Sequence, residues 1–424
     1  MTNKYNPVRG FHDIAPESSK IRGYLADIFY QSAHSLGFDE IHFPVVESLD
    51  LFQRSVGNNT DIVNKEMYTL EDRNGTLLAL RPEGTAGCVR AALALGLIHN
   101  TVQRLYYQGP MFRYERPQKG RLRQFHQIGL ETFGLQSPVA ELELIQLMNH
   151  IWKQLGIHEE VHLHLNYLGG AETQNNYQKA LKDYLTPHAS NLDEDSQQRL
   201  NHNVLRILDS KNTQTQEILL SAPKLIEFYS DDEHDLIEKT LESLHRAHID
   251  AVFDPMIVRG LDYYTGIVFE WMTDKLGAQG TLCAGGRYDG LVEQLGGKPT
   301  PAVGLSAGVE RIEALLSLKN NPQPETNCDL YIGISGDDTY HWLFPYLNQL
   351  QTLNLNIRQG SSLSGIKAHL KAANKISAKY CLLAGEDELS HNKVVLKNMT
   401  SGVQIDLAPE EILNPFKPTP KDSL

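Results

Sequence analysis

At roughly 150 residues per domain, 424 residues leave room for two or three domains. With 41% hydrophobic and 21% charged residues the composition is that of a globular protein, and no apolar run reaches the ~18 residues that would span a bilayer; Cys88 to His99 comes nearest and carries Arg90. The net charge of −13 excludes binding of nucleic acid by overall basicity, though not through a local basic surface.

The polar start, Met1 to Asn6, lacks the apolar core of a secretory leader. Residues 16–37 read as a helix: Pro16 and Glu17 suit a first turn, and Ile21, Leu25, Ile28, Phe29 and Leu36 recur at helical spacing. Asp39 to Val46 reads as a strand that Pro44 places at an edge or interface. From Thr76 to Glu131 the order is strand, helix (Ala86 to Leu97), strand, strand. Residues 171–250 turn rich in Asn, Gln, Asp and Glu, with helical periodicity in Lys179–Leu185, Leu200–Leu208 and Leu236–His245. They hold 8 Lys+Arg against 15 Asp+Glu, more than half the net charge, and read as a helical insertion. Strand-like sequence resumes from Ile257 through Phe269. After a proline-containing linker, Asp329 opens an alternating module: helix Tyr340–Leu353, strand at Ile357, helix Ile366–Ile376, strands Tyr380–Ala384 and Val394–Leu396. That order predicts a small α/β domain with a mostly parallel sheet. The resulting division is 1–170 with 251–320, an insertion at 171–250, a linker at 321–326 and a last domain at 327–424. The four cysteines, Cys88, Cys283, Cys328 and Cys381, show no CxxC pair or zinc spacing. They are expected to be buried free thiols of a cytosolic protein.

The chemistry concentrates in five stretches. Arg104 to Glu131 reads as two antiparallel strands joined by a basic loop. Period-two alternation puts Arg113 and Glu115 on one face, and Arg123, Phe125, Gln127, Gly129 and Glu131 on one face of the second strand. A face of this composition is polar and costly to bury without partners. Arginine suits bidentate phosphate contact and phenylalanine offers a flat surface to a base. Leu80-Arg-Pro-Glu-Gly-Thr places Glu83, Gly84 and Thr85 at a strand-to-helix junction, where capping is the alternative use of Glu83 and Thr85. Arg259-Gly-Leu-Asp-Tyr-Tyr-Thr-Gly and Ala284-Gly-Gly-Arg-Tyr-Asp-Gly-Leu are turn-like peptides. Gly304 to Ile312 is a glycine-rich strand-to-helix junction leading to Arg311. Neither GxxxxGK[ST] nor GxGxxG occurs, so this is no P-loop and no dinucleotide fingerprint.

Together these stretches form a resemblance. The hairpin resembles motif 2 of the class II aminoacyl-tRNA synthetases, Gly304 to Ile312 resembles motif 3, and Gly37 to Glu47 resembles motif 1, which builds the dimer interface in that class. The peptides at Arg259 and Gly285 resemble the two that are peculiar to the histidyl-tRNA synthetase family. The resemblance runs from about Pro7 into the C-terminal module. It implies an α+β catalytic domain on an antiparallel sheet, a helical insertion and a C-terminal α/β anticodon-binding domain, in a cytoplasmic homodimer. It further implies ATP-dependent ligation of histidine to its tRNA through histidyl-adenylate, with Mg²⁺ bridging the phosphates. The nucleophile belongs to the substrate, so the protein positions reactants and stabilises charge at phosphorus.

By that resemblance Arg113 and Arg259 are the catalytic arginines, at the α-phosphate and histidine carboxylate. Glu83, Gly84, Thr85 and Gln127 hold the ammonium end, and Glu131 with Tyr264, Tyr263 nearby, holds the imidazole. Phe125 and Arg311 sandwich adenine, Glu115 lies beside it, and Arg121 and Arg123 reach the outer phosphates. Arg116 and Gln118 are expected at the tRNA acceptor end. Lys367, Lys371 and Lys375, with Lys379 next in the row, recur every four residues and are expected along the anticodon arm. A non-catalytic paralogue, the regulatory subunit of ATP phosphoribosyltransferase, shares the fold but loses the histidine peptides or the C-terminal domain; both are present here.

Overall fold

The structure is a computed structural model that describes residues 5–416 except 58, 59, 61, 100, 118, 119, 203, 211, 256, 258–260, 262, 320–327, 362 and 363. Two compact units divide the chain, Met1–Asn321 and Pro322–Leu424.

The first unit opens with α1 (Pro16–Ser35), whose Leu25, Phe29 and Ala33 are buried on one face. The strand expected over Asp39–Val46 is split. Only β1 (Asp39–Glu40) and β2 (Val46–Ser48) pair, and the segment carrying Pro44, which has no N–H to donate, lies between them. α2 (Leu49–Val56), β3 (Thr69–Glu71) and β4 (Leu77–Leu80) follow, and β2, β4 and β3 form a small antiparallel sheet. Next come α3 (Thr85–Ala94), the long hairpin β5 (Gln103–Phe112) and β6 (Gln124–Phe133), α4 (Val139–Gln154) and β7 (His162–Tyr167). Among the described residues, the segment expected as a helical insertion, 171–250, holds helices and no strand: α5 (Ala171–Leu185), α6 (Glu194–His202), α7 (Thr213–Leu219) and α8 (Asp231–Arg246), with short 3-10 turns between them. Then β8 (Ala251–Phe253), β9 (Thr265–Met272), β10 (Thr281–Arg287), α9 (Gly290–Gln294), β11 (Ala302–Gly308) and α10 (Val309–Leu318) complete the unit.

The main sheet has eight strands in the order β1-β5-β6-β11-β10-β9-β7-β8. The central six are antiparallel, and each edge is closed by a short parallel strand. α1, α4 and α10 share one apolar core with this sheet, built around Trp152, Met148, Leu144 and Phe269, and that core runs on through Tyr177, Leu181 and Leu185 into the insertion. Glu233 ties the insertion's two ends together. Its carboxylate accepts from Ser230 N in a capping box, from Gly170 N and Thr173 Oγ1 at the start of α5, and from Tyr167 Oη at the end of β7.

The second unit holds β12 (Leu330–Ile334), α11 (Asp337–Leu350), β13 (Ile357–Gln359), α12 (Ile366–Lys375), β14 (Tyr380–Ala384), α13 (Glu386–Ser390), β15 (Val394–Asn398) and β16 (Gln404–Leu407). Its sheet order is β13-β12-β14-β15-β16. The expectation of a mostly parallel sheet fails: β12 is parallel to β13 and β14, but β14–β15 and β15–β16 are antiparallel. The links after β14 and β15 are too short for a parallel crossover, which needs about a dozen residues or more. β16 escaped the pattern reading because its residues are mostly exposed and present no continuous apolar face.

Candidate active site

β6 lies at the centre of the site. Its cross-strand partners are Tyr107 to Gly129 and Met111 to Phe125 on β5, and Gly304 to Glu131 and Gly308 to Gln127 on β11. Above this face a cavity of about 290 Å³ is lined by Glu83, Thr85, Gln127, Tyr263 and Tyr264 at one side, and by Arg113, Glu115, Arg121, Phe125, Glu270, Glu310 and Arg311 at the other.

The closed end is polar and deeply buried. Glu131 has no exposed surface and lies beneath the cavity wall rather than in it. Its Oε1 accepts from Thr85 Oγ1 at 2.8 Å and Tyr107 Oη at 2.9 Å, and its Oε2 from Tyr288 Oη at 2.5 Å. Burial drives its carboxyl up to about 8 against the downward pull of those hydroxyls. The glycines around it keep space. A Cβ on Gly304 would sit 1.6 Å from Glu131 Oε2, and one on Gly84 or Gly129 would meet the Tyr107 ring at 2.2 or 2.1 Å. Gly84 therefore acts through room for Tyr107 and is not part of the wall.

Glu83 does cap the helix: its carboxylate accepts the backbone N–H groups of Thr85 (2.6 Å) and Ala86 (2.9 Å) in the first turn of α3. Burial raises this carboxyl above the ordinary range, opposed first by those two N–H bonds and then by Arg113. Gln127 Oε1 is buried in the wall with no hydrogen-bond partner among the described residues. Buried acceptors are rarely left so, which marks it as a place for a donor on a ligand. The Tyr263 ring lies 4.7 Å from Tyr264 and 5.7 Å from Tyr288, joining both family peptides to one wall.

The open end is cationic. Arg113 lies beyond the end of β5 at Phe112, so it and Glu115 do not share a strand face as the alternation suggested. Instead its Nε bonds Pro82 O at 2.9 Å and its guanidinium stacks 5.4 Å from the Phe125 ring. Arg121 Nε pairs with Glu115 Oε2 at 2.5 Å. Arg311, at the start of α10, reaches Thr281 O at 2.6 Å and Gln279 Oε1 at 2.9 Å. Burial, then the nearby Arg121 and Arg113, lower its pKa.

Arg123 is directed elsewhere. It precedes β6, lies 3.7 Å over the Tyr114 ring, bonds Glu115 O at 3.1 Å and is not in the cavity wall. Arg259 and Gln118 fall outside the described residues. Arg116 is exposed. In the second unit Lys367, Lys371 and Lys375 are exposed on α12, while Lys379 lies past its end and pairs with Asp329 at 2.9 Å, which removes it from the row.

Tyr107, Ser306 and Glu310 lie within the motif stretches and Glu270 just after one, all without an expected role, and Tyr288 stands likewise in the Ala284 peptide. Arg287 and Asp289 of the same motif are structural. Arg287 forks onto Glu141 of α4 at 2.7 and 2.8 Å, and Asp289 accepts from Arg287 Nη1 at 2.9 Å and Ala302 N at 2.8 Å. All four cysteines are buried, and none is in a disulfide. Among the described residues, no helix is long and apolar enough to cross a membrane.

A six-stranded antiparallel centre with a nucleotide-sized, arginine-lined cavity across the motif 2 hairpin and the motif 3 junction defines the class II aminoacyl-tRNA synthetase architecture. The profile of histidyl-tRNA synthetase matches residues 10–312, and that of an anticodon binding domain matches residues 348–417. A histidine–tRNA ligase from Marinomonas sp. (strain MWYL1) is 47% identical over 408 residues, 95% of this chain and 96% of that protein. The apo histidyl-tRNA synthetase of S. aureus superposes with a TM-score of 0.82 at 31% identity, covering 98% of this chain and 100% of its own. That of Nostoc sp. PCC 7120 shares the fold at a TM-score of 0.69 and 20% identity, over 97% of this chain and 99% of its own. The chain belongs to the histidyl-tRNA synthetase family.

Proposed function

We propose that the chain charges tRNA with histidine in two steps at the cavity over β6. The observation that carries this is the cavity's polarity: a closed end with Glu131, Thr85, Tyr107 and Tyr288 in one hydrogen-bonded group, and an open end with Arg113, Arg121, Arg311 and Phe125. In the first step the histidine carboxylate attacks the α-phosphate of ATP, the bond to the β-phosphate oxygen breaks, and pyrophosphate leaves. In the second, a ribose hydroxyl of the terminal adenosine of tRNA attacks the carbonyl carbon, and AMP leaves. No protein nucleophile takes part; arginines beside phosphorus stabilise the added negative charge.

Arg113 serves the α-phosphate, and Phe125 and Arg311 hold the adenine. Arg121 serves the outer phosphates on release from Glu115. ATP enters as its Mg²⁺ complex, and Glu115 and Glu270, carboxylates of the arginine-lined side of the wall, would hold the cation there. The ammonium of histidine satisfies Gln127 Oε1, with Glu83 and Thr85 in the same wall. The imidazole meets Tyr264 and the Glu131 group, a polar site that rejects an apolar isostere by leaving its own groups unpaired. The regulatory-paralogue reading is disfavoured, since the 47% identical relative is named a ligase.

Exposed Val46, Leu70 and Leu77 on the small sheet, with exposed Leu36 at the end of α1, suit a homodimer contact. The exposed α12 lysines suit phosphates of the anticodon arm, and exposed Arg116 the acceptor end. Four buried cysteines outside any disulfide suit the cytoplasm. The test is ATP–pyrophosphate exchange run with each of the twenty amino acids. Stimulation by histidine alone is expected; stimulation by another amino acid, or by none, overturns the assignment.

A further inference from the structure

One partly buried ionic cluster was given no part in the chemistry above. Arg22, in the middle of α1, forks onto Glu313 of α10, with Nε to Oε1 at 2.8 Å and Nη2 to Oε2 at 3.2 Å. The same Nη2 donates to Glu310 Oε1 at 2.9 Å, and Nη1 lies 2.8 Å from His126 Nδ1 on β6. Three elements far apart in sequence thus meet on one guanidinium, whose side chain is only 18% exposed.

Its partners stand next to the nucleotide end of the cavity. Glu310 precedes Arg311 and lines the wall itself. His126 lies between Phe125 and Gln127, one residue beyond the last β6–β11 pair, Gln127 with Gly308. There the ladder stops because β11 gives way to α10, and the Glu310 carboxylate takes over. It accepts the His126 backbone N–H at 2.9 Å (Oε2) and 3.1 Å (Oε1). Glu310 therefore joins the strand that carries Phe125 to the helix that carries Arg311. Burial pushes its carboxyl up, but His126 and Arg22 outweigh this and hold it below the ordinary range, so the acceptor stays charged.

We propose that Arg22 is a positioning residue of the ATP half of the site: by fixing Glu310 and Glu313 it sets the spacing between Phe125 and Arg311. The proposal rests on the assignment of that half to ATP. Arginine is required because its planar fork serves two carboxylates at once, which an ammonium does not. The histidine end stands on other residues and is left undisturbed.

The test compares Arg22→Gln, Arg22→Lys and Glu313→Gln with the unaltered chain. ATP affinity is read by calorimetry without amino acid, and KM for ATP and for histidine by pyrophosphate exchange. Arg22→Gln is expected to weaken ATP in both assays by roughly tenfold, the scale of one lost charge-assisted hydrogen bond, with histidine KM within about twofold. Arg22→Lys and Glu313→Gln are expected to show the same ATP-selective effect at a few-fold. A purely scaffolding role would lower the thermal midpoint and leave both KM values alone, or raise both together, and either result overturns the proposal. Should Arg22→Gln fail to fold, Glu313→Gln decides, because it leaves the Arg22–Glu310 pair in place; an unchanged ATP KM there refutes the idea. If the unaltered chain binds ATP but shows no histidine-dependent exchange, the functional reading fails while the calorimetric comparison still judges Arg22.

Discussion

Glu131 makes the stability of the catalytic unit depend on pH in a direction opposite to the usual carboxylate. Its carboxyl is raised from the ordinary 4.5 to about 8, chiefly by burial, so the folded chain holds a proton that the unfolded chain releases. The sign follows from linkage: between 4.5 and about 8 the native state binds more protons, so stability falls as pH rises through that window. The contribution is whole below 4.5 and gone above about 8. At 1.36 kcal/mol per pH unit this amounts to roughly 5 kcal/mol as an upper bound. Glu131→Gln removes the titration and keeps the shape. The assay is urea unfolding at several pH values. Trp152 and Trp271 are buried in the first unit, so a Trp342→Phe background confines fluorescence to that unit. Relative to its parent, the Gln variant should gain stability steadily from pH 4.5 to 8.5. Glu83, also raised by burial, is present in both proteins and drops out of the comparison except through its repulsion of Glu131. Parallel pH profiles for parent and variant would refute the reasoning and show that Glu131 is ionised in the free site.

Three further outcomes are expected. Arg287→Ala strands the fully buried Glu141 carboxylate; loss of a buried ion-pair partner costs about 3–5 kcal/mol, so the thermal midpoint of the catalytic unit should drop sharply, and a shift of a degree or less would contradict the clamp. Gly304→Ala puts a methyl group where the Glu131 Oε2 now lies; histidine KM should rise by tenfold or more (about 1.4 kcal/mol, within the usual overpacking cost) with ATP KM little changed, and equal rises would point to a general distortion. Lys367→Ala with Lys371→Ala should weaken tRNA binding and flatten its log–log salt dependence by about 0.7–0.9 for each phosphate no longer neutralised. Pyrophosphate exchange should be untouched, and an unaltered salt slope would return these lysines to a merely solvated face.

Local pattern alone located most of the elements. The period of α1, the hairpin of β5 and β6 and the strand-to-helix junction at Gly308 are set by residues within a few positions of each other, and they are where the pattern placed them, while the linker expected at 321–326 lies outside the described residues. The motif stretches likewise pointed to Glu83, Thr85, Arg113, Glu115, Arg121, Phe125, Gln127, Tyr263, Tyr264 and Arg311, and the fold draws these ten around one cavity. What depended on the tertiary structure was which neighbour each polar group finds. Arg123 shares the alternation of Phe125, yet it stands ahead of the strand and takes the Tyr114 ring. Glu131 could not be known as a proton-holding group, because its burial comes from Tyr107, Tyr288 and the bare Cα of Gly304, the last two more than 150 residues away. The antiparallel half of the second sheet was decided by link length and pairing rather than by the residues in the strands. Arg22 shows the limit most plainly: in a helical pattern it is one more surface arginine, and only the packing of α1 on α10 brings it to Glu313, 291 positions on. Periodicity is a short-range property of a chain, whereas desolvation and charge pairing belong to whatever distant groups the fold brings together.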